Sequence, residues 1–148
     1  MTQHLPMAEK QACFHEIEHT ADLGIEVTAV DMPSLFSSAA QALYALIAGT
    51  DTIEMREEVR VSAGGDGPEE LLHAWLCESL ALFNLRNFIG KGCDVTQVTA
   101  ERVDGIIKGE KLDPTRHRFH TEIKGVTYHG FQVWQEDGLW HARVIFDV

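Results

Sequence analysis

The sequence predicts an α+β fold in which two amphipathic helices pack on a largely antiparallel β-sheet. Three observations carry this. Apolar residues recur at helical spacing over residues 35–47 and again over 71–83. Short runs before and between these stretches alternate apolar with polar residues, the period of half-buried strands. From Cys93 onward the chain is almost wholly such runs, separated by Gly- and Asp-bearing turns.

Taken in order, residues 13–18 (CFHEIE) alternate weakly and read as a first strand. Residues 23–30 form a second, with His19-Thr20-Ala21-Asp22 as the bend between them. Asp31-Met32-Pro33-Ser34 is a helix-start cluster in which Asp31 or Ser34 can accept from free N–H groups. Leu35, Phe36, Ala39, Ala40, Leu43, Leu46 and Ile47 give that helix an alanine-rich apolar face, and Gly49 is its expected stop. Val59 and Val61 alternate with Arg60 and Ser62 in a third strand that ends at Gly64-Gly65. Pro68 suits the first turn of the second helix, and Glu69 and Glu70 sit at the positive end of its dipole. Its stripe of Leu71, Leu72, Trp75, Leu76, Leu80 and Phe83 is a main source of core stability. Each large side chain contributes about 1.5–3 kcal/mol when fully buried. Trp75 is read as core, and Cys77 as a small residue of the same core.

Val95, Val98 and Val103 lead to a turn expected at Asp104-Gly105, and residues 106–110 form a short strand. Residues 111–117 are a polar loop. Phe119, Thr121, Ile123 and Gly125 mark a strand running toward Tyr128. Phe131, Val133 and Trp134 enter a hairpin turn at Glu136-Asp137-Gly138, and residues 139–146 close the sheet.

The 148 residues make one domain, residues 13–148, preceded by a flexible tail over residues 1–12. That length buries a core without disulfide or metal staples. With a formal net charge of −11 and no basic run longer than two residues, the chain is a poor grip for a phosphate backbone. Strong direct nucleic-acid binding is therefore not expected. Three cysteines, odd in number and far apart, offer neither a CxxC pair nor a disulfide framework, which predicts a reducing cytoplasm. No apolar run approaches a membrane span. The opening MTQHLPMAEKQ lacks the charged start and apolar stretch of a signal peptide.

Common catalytic motifs are missing: no GxSxG elbow, P-loop, GxGxxG or HExxH. Gly64-Gly65-Asp66-Gly67 leads into an acidic helix start with no lysine and reads as a loop. Among eight histidines, His117 and His120 lie three apart, which on a strand puts them on opposite faces. His19 stands out only by its company, three residues before Asp22 in a tight segment. The other end of the chain offers a matching oddity. Asp147 adjoins the α-carboxylate of Val148, two anions on neighbouring residues after the apolar Val144-Ile145-Phe146. Exposed carboxylates at a chain end need no partner, and that reading stands beside the next one. If the HTAD bend meets this end, three anions converge. Two unit charges about 4 Å apart repel by about 4 kcal/mol at an effective dielectric near 20. A domain's whole stability is only about 5–15 kcal/mol. Such a cluster must take a proton or a cation, and all-oxygen ligands favour a hard ion.

At this point a resemblance enters. His19-Thr20-Ala21-Asp22 followed by Gly24, then Glu69-Glu70-Leu71-Leu72 with Trp75-Leu76, then the run from Thr121 to His129 (TEIKGVTYH), occur in that order. With Gly138, Trp140 and the final Phe146-Asp147-Val148, the chain resembles the archease family over nearly everything after the tail. The resemblance implies a compact α/β domain that binds a divalent cation, calcium first, with magnesium or manganese as the other candidates. The implied ligands are Asp22, Asp147 and Val148; His19, Lys124 and His129 are implied as supporting or partner-contacting residues. The implied role is a protein cofactor, itself no enzyme, of an RtcB-type RNA ligase in tRNA splicing. Such cofactors promote the ligase's guanylylation and multiple turnover. The alternatives are a metal-dependent phosphoesterase with His19 as acid–base and a general chaperone. The sequence sets neither the partner surface, the oligomeric state, the RNA substrates nor the separate roles of Lys124, Tyr128 and His129.

Overall fold

The computed structural model describes residues 13–18 and 22–148. The strands are β1 (Cys13–Glu18), β2 (Asp22–Ala29), β3 (Glu57–Gly64), β4 (Phe88–Val98), β5 (Arg102–Lys111), β6 (Gly125–Val126), β7 (Gln132–Glu136) and β8 (Leu139–Asp147). The helices are α1 (Met32–Ile47) and α2 (Pro68–Arg86). One sheet runs β1-β2-β8-β6, with β7 also paired to β8; the other runs β3-β5-β4. All these pairings are antiparallel.

The two helices lie between the sheets. α1 touches β4 on one side and β2 and β8 on the other; α2 touches β3, β4 and β5 as well as β6 and β7. This explains why α2 is apolar around much of its circumference, with Leu71, Leu72, Trp75, Leu76, Leu80 and Leu82 all buried. A helix facing two sheets needs more than one narrow stripe. The alanines of α1, Ala39, Ala40 and Ala42, are fully buried and let it lie close to its neighbours. Polar groups of this core are satisfied: the Trp75 indole donates to the Phe36 carbonyl at 3.0 Å, and the Tyr44 hydroxyl to that of Ser79 at 2.6 Å.

Both helix starts fall where the sequence places them. The Asp31 carboxylate accepts from the Ser34 N–H at 2.8 Å and opens α1. α2 begins at Pro68 after Gly67 and ends at Asn87, whose left-handed backbone (φ 56°) sends its N–H back to Leu82 and Phe83. Asp137 and Gly138, φ 55° and 76°, form the two-residue β7–β8 turn that suits strand twist.

Several expectations are corrected. Gly49 does not stop α1 by a left-handed turn. The chain leaves the helix extended at Ala48, and the Gly49 N–H donates to Arg118. Asp104-Gly105 is no turn but lies inside β5, and β4 already begins at Phe88; the reversal falls at residues 99–102, where the Thr99 N–H donates to the Arg102 carbonyl. The strand expected over residues 119–125 shrinks to Gly125–Val126. His120 and Thr121 instead donate to Ile47 at the end of α1. His117 and His120 are therefore not strand neighbours. Cys77 is half-buried rather than core. Of the HTAD segment, His19, Thr20 and Ala21 lie outside the described residues, and Asp22 opens β2.

Candidate functional site

β8 is flanked on both sides, by β2 and by β6 with β7, so its side chains are fixed by two registers. On β2, Leu23, Ile25, Val27 and Ala29 face the helices, opposite Phe146, Val144, Ala142 and Trp140. The alternate residues project from the far side of the sheet. That outer face carries Asp22, Glu26 and Thr28 from β2, and His141, Arg143, Ile145 and Asp147 from β8.

Asp22 pairs directly with Asp147 across the two strands. Directly opposed residues of an antiparallel pair hold their Cβ atoms roughly 4.5–5.5 Å apart. The main chain of Asp147 is further held by Gly125, its partner on β6, and by the Lys124 N–H, which donates to its carbonyl at 2.7 Å. Val148 follows at once and is partly exposed. Among the described residues, no group of three or more His, Cys, Asp or Glu side chains is placed to hold a metal ion. The side chains here supply two carboxylates.

Beside Asp22 lies an open pocket of about 270 Å³ lined by Asp22, His129, Gly130, Gln132, Arg143 and Ile145. Its far wall is the loop between β6 and β7, which straddles the sheet edge. On one side the Tyr128 ring lies flat on His73 of α2, centroids 3.7 Å apart. On the other, Gly130 (φ 71°) rests against Ile145, and a Cβ there would stand 3.4 Å from Ile145 Cγ1. His73 is well fixed: its Nε2–H donates to the Val126 carbonyl at 2.9 Å, and its Nδ1 faces the Cys77 thiol at 3.6 Å. Along the same outer face, Glu26 sits between His15 Nε2 at 3.2 Å and Arg143 Nη1 at 3.7 Å.

The structure thus brings together Asp22, Asp147, Val148 and, through the pocket, His129. Lys124 adjoins Asp147 by its backbone, its side chain exposed. His19 lies outside the described residues. Arg143, Gln132 and Gly130 are pocket residues that the sequence reading passed over. The signal for Arg143 was present: period-two alternation along the last strand puts 143, 145 and 147 on one face.

Other reactive groups lie apart from this pocket. Burial pushes the Cys93 thiol up to about 12 and raises that of Cys77, so neither is a thiolate at neutral pH. Glu110, 5% exposed, takes a two-pronged contact from Arg116 with both nitrogens at 2.8 Å. It also accepts from the Glu54 N–H at 2.7 Å and from His117 Nε2 at 2.9 Å. The Arg116 fork holds this carboxyl well below the usual carboxylate range against the opposing effect of burial. The Asp113 N–H donates to His117 Nδ1 at 2.8 Å, which fixes the ring proton on Nε2. This cluster anchors the loop after β5.

The chain matches the archease protein family (MTH1598/TM1083) over residues 14–148. It is 41% identical over 138 residues to the protein archease of Methanopyrus kandleri, covering 91% of this chain and 99% of that one. The solution structure of Methanobacterium thermoautotrophicum protein 1598 superimposes with a TM-score of 0.77 at 28% identity, over 91% of this chain and 98% of that one. The crystal structure of a Thermotoga maritima archease, described as a possible chaperone, shares the fold with a TM-score of 0.60 at 21% identity, covering 89% and 94%.

Proposed function

Since the chain belongs to the archease family, we propose that it is a metal-binding protein cofactor that activates an RtcB-type RNA ligase in tRNA splicing and RNA repair. The observation that supports this most is the direct pairing of Asp22 with Asp147. Like charges opposed on one sheet face oppose folding unless something offsets them. With an oxygen from Val148, the donor set is all oxygen, which suits calcium, magnesium or manganese rather than zinc. When bound, such a cation supplies a fixed positive charge and Lewis acidity toward a phosphoryl oxygen.

The protein's part in this reading is to hold and present, not to turn over substrate. Asp22 and Asp147 bind; Lys124 and His129, both exposed beside them, contact the ligase. His19, three residues before Asp22 in sequence, supports the site. An acidic chain of net charge −11 suits docking at the cationic mouth of an RNA-handling enzyme. The reading assigns the protein to the cytoplasm, in keeping with the free thiols of Cys77 and Cys93. No helix among the described residues is long and apolar enough to cross a membrane.

A single-turnover guanylylation assay of the partner ligase, with and without this protein and with a chelator arm, tests the proposal. Stimulation by the wild type, lost with chelator and in Asp22→Ala and Asp147→Ala, is expected. No stimulation by the wild type would sink the ligase role. Full stimulation by both variants would sink the metal site alone.

A further inference from the structure

The pocket beside Asp22 has walls of opposite character. Asp22 forms one, with Asp147 next to it; the other carries Arg143, Gln132 and His129, all donors, with the Gly130 backbone between them. Arg143 is only loosely engaged. Among the described residues the carboxylate that faces it is that of Glu26, with Oε2 3.7 Å from Nη1, beyond hydrogen-bond length, and the Arg143 side chain is 37% exposed. A guanidinium carries five N–H groups in a planar fork, so Arg143 keeps donors free to meet an oxyanion. Ile145 floors the space and is itself 2% exposed, which makes the cleft firm. The loop wall is held in advance by the Tyr128–His73 stack and by the left-handed Gly130.

A ligand that satisfies both walls needs an oxyanion on one side and a positive charge on the other. A carboxylate offers two oxygens. A phosphate group offers three free ones, matching an Arg fork, an amide and an imidazole. Two carboxylates are also an incomplete shell for a hard cation. Magnesium in particular is commonly held by one or two carboxylates, completed by phosphate oxygens and water. A cavity of about 270 Å³ has room for both, since a water takes about 30 Å³.

We propose that this pocket is a phosphate-group site, with the phosphate oxygens on Arg143, Gln132 and His129 and its accompanying divalent cation on Asp22 and Asp147. The cation half rests on the metal reading given above; the anion half stands on the pocket's own donors. The ligand class is a phosphate monoester carried with its metal.

The test is amide-resolved NMR of the full chain titrated with magnesium chloride alone, methyl phosphate alone, and both. Methyl phosphate is expected to shift the amides of Gly130, Gln132 and Arg143, with an apparent Kd at least tenfold lower when magnesium is present. Arg143→Gln and Gln132→Ala should weaken methyl phosphate at least tenfold and leave magnesium binding unchanged; Arg143→Lys should restore part of the loss. Asp22→Asn should remove the enhancement by magnesium while metal-free phosphate binding persists. Methyl phosphate that moves none of these amides overturns the proposal, as does wild-type affinity in both Arg143→Gln and Gln132→Ala. Should Arg143→Gln not fold, Gln132→Ala and Arg143→Lys decide. Phosphate binding without any magnesium binding overturns the cation half, and with it the metal reading, while the anion half survives.

Discussion

Asp22 and Asp147 stand directly opposite each other, one opening β2 and the other closing β8. On a solvated sheet face, where water screens the pair far more than at a fixed 4 Å contact, directly opposed carboxylates oppose folding by roughly 0.2–1 kcal/mol. Asp147→Asn should therefore raise metal-free stability by about 0.5 kcal/mol. Calcium at a hundred times its Kd should stabilise the wild type by about 2.7 kcal/mol and the variant far less. Urea denaturation in EDTA and in calcium measures both. An equal calcium shift in the two proteins would remove Asp147 from the site.

Glu110 is the structural counterpart, an anion that keeps its charge because Arg116 grips it. Breaking a buried pair costs about 3–5 kcal/mol; Arg116 is 36% exposed and can partly rehydrate, so Glu110→Gln should cost about 2 kcal/mol. The pH dependence has a definite sign. The folded carboxyl titrates below its ordinary value of 4.5. Its stabilisation is thus full above that value and is lost as pH falls below it toward the folded pKa. Urea curves at neutral pH and at two acid points should show the wild-type advantage over Glu110→Gln shrinking in acid. A gap independent of pH would mean that the carboxylate's charge contributes nothing.

Gly130 and Gly138 separate site from scaffold. Both have left-handed backbones, φ 71° and 76°, so alanine at either should cost about 1 kcal/mol in strain. A Cβ on Gly138 meets nothing within 4 Å, whereas one on Gly130 meets Ile145 in the pocket wall. Similar drops in Tm are expected, with the amides of Asp22 and Arg143 shifted only in Gly130→Ala. Equal shifts in both variants would mean that the loop is not an independent wall.

Two Asp-Gly pairs show how far the sequence could be read. Asp137-Gly138 lies between alternating runs and is the hairpin turn expected of it. Asp104-Gly105 has the same letters and similar flanks, yet it sits inside β5. The glycine there is required by a distant ring: a Cβ on Gly105 would stand 2.7 Å from Trp75 Cη2. Local pattern cannot tell a glycine needed for its own φ from one needed for a neighbour's bulk. The alternation of Phe119, Thr121 and Ile123 misled for a similar reason, because that backbone bonds to the end of α1, far away in sequence.

The two helices, their starts and the β7–β8 hairpin were legible because each rests on neighbours within a few residues. The meeting of Asp22 with Asp147 was reached only as a conditional from charge, and through family resemblance. The face of Arg143 was readable from the alternation of the last strand, but its meeting with Gln132 and Asp22 was not, because the pocket is made by register across β2, β8 and β7, which no single segment encodes.

That β2 pairs with β8 also bears on when the site comes into being. Pairing of segments so far apart in sequence carries a large loop-closure entropy and is slow to form. Contacts within the two helices and the β7–β8 hairpin need no such closure. Asp22 and Asp147 would then meet only as the chain's early and late segments are zipped together, among the last events of folding. If the pair binds a cation as proposed, that affinity would report completed assembly, because it requires β2 to have joined β8.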